Sequence, residues 1–144
     1  MATSTPSSQA EDHLAQSDKR QAKLDNFDFG GHWAELEGAG DLAIITWGSS
    51  TGPAREALVR AQNDGVSTRL IALRMILPAQ PEKMMAALEG VSRVLVVDQS
   101  HSGQFYRFLR AHYDLPGDIR DFHRAGPLRI SATEIMNQIE EWDQ

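Results

Sequence analysis

A short apolar run, a Gly/Ser/Thr turn and a helix start follow one another without a break between residues 42 and 61, and this order constrains the fold more than anything else in the chain. Leu42-Ala43-Ile44-Ile45-Thr46-Trp47 is a short, mostly apolar stretch rich in β-branched residues, the pattern of a buried strand. Gly48-Ser49-Ser50-Thr51-Gly52-Pro53 is the turn. Pro53 then suits the first turn of a helix whose apolar stripe is Ala54, Ala57, Leu58 and Ala61. A strand that enters a helix through such a turn is the first half of a βαβ unit. It also aims backbone N–H groups outward at a helix N-terminus, where α/β proteins hold anions.

The pattern repeats downstream. Residues 69–73 and 93–97 are further apolar strands, with helices expected over 53–63, 81–89 and 104–113. Residues 118–123 read as a short edge strand. Ser131-Ala132-Thr133-Glu134 is a capping box that opens a last helix carrying Ile135, Met136, Ile139 and Trp142 on one face. Strands alternating with helices predict a three-layer α/β/α fold around a mainly parallel sheet of about five strands. Sites in such sheets form beyond the carboxyl ends of the strands, here residues 48–52, 75–78 and 98–103.

The region before Asp41 has a different character. Residues 1–10 are Ser/Thr/Pro/Gln-rich and read as a disordered tail. Residues 11–24 are good helix formers with few apolar positions, a helix that needs something else to lean on. Residues 25–40 hold four glycines with Phe27, Phe29 and Trp33, the composition of an irregular linker. The expected organisation is therefore a tail over 1–10, a connecting helix and linker over 11–40, and an α/β domain over 41–144.

Charge and composition narrow the function. The 144 residues carry a net charge of −6, and none is cysteine, which removes disulfides and thiolate ligands for zinc or iron–sulfur clusters. No run is apolar enough to span a membrane and no signal peptide is visible, so a cytoplasmic location with no membrane partner is expected. Acids outnumber bases seven to three over residues 1–40 and four to none over 131–144, whereas the middle holds eleven bases, ten of them Arg, against nine acids. Without a large basic excess no nucleic-acid partner is expected. The spacing of the histidines gives no metal-ligand pattern, and no metal site is predicted.

The turn itself admits several chemistries. Its glycines are four apart and Arg74 follows the second strand, which does not fit a dinucleotide fingerprint. Pro53 stands where a P-loop needs Lys. Gly48-Ser49-Ser50-Thr51-Gly52 matches a hydrolase elbow literally, with Asp98 and His101 or His123 to complete a triad. A flavodoxin-like loop for the FMN phosphate is the other rival, though Pro53 removes one donor. Gly52 is expected to lie close to its neighbours, so that Gly52→Val would cost about 1–3 kcal/mol.

Several segments taken together resemble one family. Trp47-Gly48-Ser49-Ser50-Thr51-Gly52-Pro53, Leu73-Arg74 with Leu77-Pro78, and Val96-Val97-Asp98-Gln99-Ser100-His101-Ser102-Gly103-Gln104 occur in the order seen in the C-terminal domain of the α subunit of 2-oxoacid:ferredoxin oxidoreductases. That domain is similar to the C-terminal domain of transketolase. Asp98 and Ser100 replace the Glu and Asn usual in the family, and Gly126-Pro127 resembles its closing segment. The resemblance implies a non-catalytic piece of a thiamine-diphosphate-dependent enzyme, of the 2-oxoglutarate type. It also implies that residues 11–24 are a connecting helix.

On this reading the chain binds no cofactor alone. Thiamine diphosphate, iron–sulfur clusters and coenzyme A belong to other parts of the complex, and the partners are its pyrimidine-binding and diphosphate-binding domains. The resemblance assigns Trp47, Asp98, His101, Gly103 and Gln104 to a subunit interface, while the residues by themselves read as a helix cap at Asp98, a solvated His101 and a Trp47 packed under the turn. Ser49, Ser50, Thr51 and Gly52 would make a phosphate contact.

Overall fold

In a computed structural model of the chain, residues 8–142 are described, and they divide at Gly30 into two units. The first holds one helix, α1 (Ala10–Asp25), in which no residue is buried. Glu11 and Asp12 in its first turn and Lys23 in its last complement the helix dipole. Asn26 closes it, its backbone and side-chain nitrogens both donating to the Ala22 carbonyl, at 3.1 and 2.7 Å. Phe27 and Phe29 then meet edge to face with centroids 4.8 Å apart.

The second unit, from Gly31 onward, is built on five strands: β1 (Ala34–Gly38), β2 (Leu42–Trp47), β3 (Thr68–Leu73), β4 (Arg93–Asp98) and β5 (Asp118–His123). Their order across the sheet is β1-β3-β2-β4-β5. β1 runs antiparallel to β3, and the other neighbours are parallel. Helices α2 (Thr51–Asn63), α3 (Pro81–Ala87), α4 (Gln104–His112) and α5 (Ala132–Glu140) connect or follow the strands.

Alternation along each inner strand divides its side chains between two cores. Leu42, Ile44, Leu70, Ala72, Leu95 and Val97 face α2 and α5, where Ala57, Ala61, Ile135 and Ile139 meet them. Ala43, Ile45, Ile71, Leu73, Val94 and Val96 face Met84 of α3 and Phe105 and Leu109 of α4. The three-layer, mainly parallel fold expected from the sequence is therefore what forms. Pro81 occupies the first turn of α3, and the Ser131/Glu134 capping box opens α5.

The linker expected through residue 40 is corrected at β1. Ala34-Glu35-Leu36-Glu37-Gly38 supplies the fifth strand, so the α/β unit begins near Gly31 rather than at Asp41. Its glutamates hid it from an apolar-run reading. Both are held by one side chain of α2: Arg55 donates to Glu35 and, at 2.6 Å, to Glu37. The tail expected over 1–10 lies, for residues 1–7, outside the described residues, and Ala10 already belongs to α1.

Burial on both faces and edge exposure predict opposite outcomes for two aliphatic residues. Ile45→Ala, in a fully buried position, is expected to cost about 2–5 kcal/mol. Leu36→Lys, on the open edge strand, is expected to cost under about 0.5 kcal/mol. Urea denaturation of the two variants checks both.

Candidate functional site at the carboxyl edge of the sheet

Four loops meet at the carboxyl ends of the parallel strands, and one carboxylate ties three of the elements together. Asp98 closes β4 and is only 3% exposed. Its Oδ1 accepts from the Trp47 indole N–H at 3.2 Å, and its Oδ2 accepts from the Ser100 hydroxyl and from the Phe105 backbone N–H at 3.1 Å. Ser100 Oγ in turn accepts the Gln104 backbone N–H at 3.1 Å. The first donors of α4 are thus capped from the preceding loop. Gly103, at the N-cap position, has no side chain to do it.

Gly103 is also fixed sterically. Its φ is 61°, and a Cβ there would lie 2.5 Å from Asp121 Oδ2. Asp121 Oδ2 sits 2.9 Å from His123 Nδ1, on the face of β5 turned toward α4. Next along the edge, Gln99 pins the loop after β5: its Nε2 donates to the Arg124 and Leu128 carbonyls, both at 3.0 Å, while its Oε1 accepts from the Ile130 N–H at 2.9 Å. Arg124 completes the frame, donating to both oxygens of Glu134 and, at 2.7 Å, to the Arg129 carbonyl. Arg124 and the Ser131 cap together hold the Glu134 carboxyl down to about 2.

The expected site residues separate into two groups. Trp47, Ser49, His101 and Gln104 are exposed along this edge, whereas Asp98 and Gly103, also assigned to an interface, are buried. Asp98 works inward, as the cap of α4. Ser50 is buried in a 3-10 turn, Gly48–Ser50, with ordinary helical angles of −78° and −9°, not the strained elbow of a hydrolase nucleophile. His123 pairs with Asp121, and Asp98 is occupied by Trp47, Ser100 and Phe105, so no Ser-His-Asp relay is assembled.

At the helix start the Thr51 N–H donates to the Gly48 carbonyl and Pro53 has none, which thins the donors available to an anion. Gly52 has open space around it and no left-handed φ, so the crowding expected there is corrected. The turn's positive φ belongs to Gly48, at +60°. Asp121 and Arg124 were not singled out by sequence, and Gln99 entered only as part of the strand-end motif. The Ser131–Glu134 spacing did point to Glu134.

The layers, the strand order and this edge define a class. The chain belongs to the family "Transketolase, C-terminal domain", whose pattern matches residues 31–106. Within that class its relatives include "2-oxoacid:ferredoxin oxidoreductase 2, subunit alpha" of Aeropyrum pernix, 34% identical over 77 residues, 54% of this chain and 12% of that protein. A 2-oxoacid:ferredoxin oxidoreductase subunit alpha of Saccharolobus solfataricus is 35% identical over 63 residues, 44% of this chain and 10% of that protein. The chain therefore matches only about an eighth of these relatives' length or less.

Among solved structures, 2-oxoglutarate:ferredoxin oxidoreductase from Magnetococcus marinus, with 2-oxoglutarate, coenzyme A and succinyl-CoA bound, superposes with a TM-score of 0.77 at 26% identity. That match covers 99% of this chain and 25% of the other. A split-gene transketolase shares the fold, with a TM-score of 0.56 at 15% identity over 81% of this chain and 43% of its own.

Two outcomes follow from the edge network. Asp98→Ala leaves three donors without their acceptor and is expected to cost about 1–3 kcal/mol in urea denaturation, with a red shift of Trp47 emission that is absent in a Trp47→Phe background. Glu134, whose folded value lies below its ordinary 4.5, contributes stability that is full above about 4.5 and is lost as pH falls toward 2. The difference in urea midpoint between wild type and Glu134→Gln should therefore be larger at pH 7 than at pH 3. It stays modest because the pair is partly solvated.

Proposed function

We propose that the chain is a non-catalytic domain of a thiamine-diphosphate-dependent 2-oxoacid:ferredoxin oxidoreductase, of the 2-oxoglutarate type, in the cytoplasm. The assembled enzyme would convert a 2-oxoacid and coenzyme A to acyl-CoA, CO2 and reduced ferredoxin. The observation that carries this reading is the match of 99% of the chain to one quarter of a 2-oxoglutarate:ferredoxin oxidoreductase chain. The relatives named as alpha subunits support it independently. Thiamine diphosphate, the iron–sulfur clusters and coenzyme A then belong to other parts of the complex, including its pyrimidine-binding and diphosphate-binding domains.

The chain's own contribution is assembly. Trp47, His101 and Gln104 are available for it on the carboxyl edge, while Asp98 and Gly103 hold that edge in shape. A phosphate contact at Ser49–Gly52 rests on the exposed Ser49 and Gly52 at the start of α2. Residues 11–24 would serve as the connector to a neighbouring domain, which accounts for a 16-residue helix with nothing buried.

The isolated chain is expected to bind no thiamine diphosphate in calorimetry and to reduce no ferredoxin. Purified with the remaining oxidoreductase subunits of the same organism, it should be recovered in an active complex. Stoichiometric thiamine diphosphate binding by the isolated chain would overturn the reading.

A further inference from the structure

The carboxyl edge is apolar and cationic on a chain that is acidic as a whole. Trp47 ends β2, and Leu77 and Leu128 lie in the loops after β3 and β5, yet the three remain 43%, 63% and 74% exposed. Scattered exposed apolar residues are ordinary, but three brought together on one edge mark a surface that meets something. Two exposed arginines stand beside them. Arg74 is 59% exposed, with only a 3.6 Å contact to Glu35, which Arg55 already holds. Arg129 makes no ion pair with any described residue, and His101 stands exposed between the two loops.

The acids of this edge are turned to other uses. Asp98 caps α4, Asp121 pairs with His123, and Glu134 is clamped by Arg124. Exposed carboxylates lie instead toward the opposite edge, at Asp64, Glu89, Asp114 and Glu140. A second copy meeting this edge face to face would bring arginines against arginines.

We infer that the carboxyl edge docks a protein surface of the parent oxidoreductase whose apolar centre is flanked by carboxylates opposite Arg74 and Arg129. The strands these arginines follow, β3 and β5, stand three strand spacings apart, roughly 14 Å. Trp47, Leu77 and Leu128 would form the dry centre of that interface. The inference rests on the proposed function, since it takes the partner from that enzyme.

The test uses the remaining oxidoreductase subunits of the same organism, purified without this chain and immobilised. Wild-type chain should bind with an association rate that falls steeply between low and physiological salt. Arg74→Glu with Arg129→Glu should slow association about tenfold or more and flatten the salt dependence, while Arg74→Lys with Arg129→Lys retains both. The urea midpoint of each variant separates this from misfolding, and the wild-type salt series does not depend on any variant folding. Binding that ignores salt and charge reversal would overturn the inference and leave the proposed function standing. No binding at all would overturn both.

Discussion

Burial of the inner strands on both faces is the constraint from which the rest follows. Leu42-Ala43-Ile44-Ile45 and Val94-Leu95-Val96-Val97 are each fully excluded from solvent, so neither face of the sheet can be left to water. Two helices cover each side, and each connection between the parallel strands β2 to β5 crosses over through a helix. Thr46, the polar residue in this run, is accommodated because its hydroxyl donates to the Val97 carbonyl at 2.8 Å. Once the layers are set, all the strand-end loops are delivered to one edge.

What holds those loops is polar, in contrast to what holds the layers. Asp98 and Gln99 are neighbours at the end of β4, yet they act in opposite directions: Asp98 reaches α4 and Trp47, and Gln99 reaches the loop after β5. An amide suits the second task, since it can donate to two carbonyls and accept from an N–H, which a carboxylate cannot do. A carboxylate suits the first, since all its partners are donors. The family resemblance drew attention to Asp98 and Ser100 as departures from the usual Glu and Asn. Here the shorter pair forms a closed chain, with Ser100 bonding to Asp98 and to the helix start together.

The legible and illegible parts of the chain divide along the same line. Apolar runs and the Pro81 and Ser131 signals were enough to place β2, β3, β4, α3 and α5, because burial and capping are written in consecutive residues. β1 was not legible. Its two glutamates look like linker until Arg55, some twenty positions later, is seen to hold them against α2. The Gln99, Asp121–His123 and Arg124–Glu134 contacts share that difficulty: each depends on which strands become neighbours, and β4 beside β5 is a fact of topology rather than of local sequence. Gly52 shows the converse error. Its place in a glycine turn suggested crowding, but the strained angle sits at the other end of the turn, at Gly48.

This division bears on how the edge can work. At this edge the buried carboxylate caps a helix, and His123, its register partner on β5, is paired with Asp121. Most polar groups of the edge satisfy one another, although Asp121 Oδ1 and Arg124 Nε are buried without a hydrogen-bond partner among the described residues. The bonds tie the loops to the strands and helices beside them. These bonds hold Trp47 directly and the Leu128 backbone through Gln99, and pre-organised apolar groups lose little freedom when covered. The hydrogen-bond network beneath the surface and the apolar, cationic surface above it are thus two halves of one arrangement. The first shapes the loops, and on the proposed reading the second is what a partner surface would match.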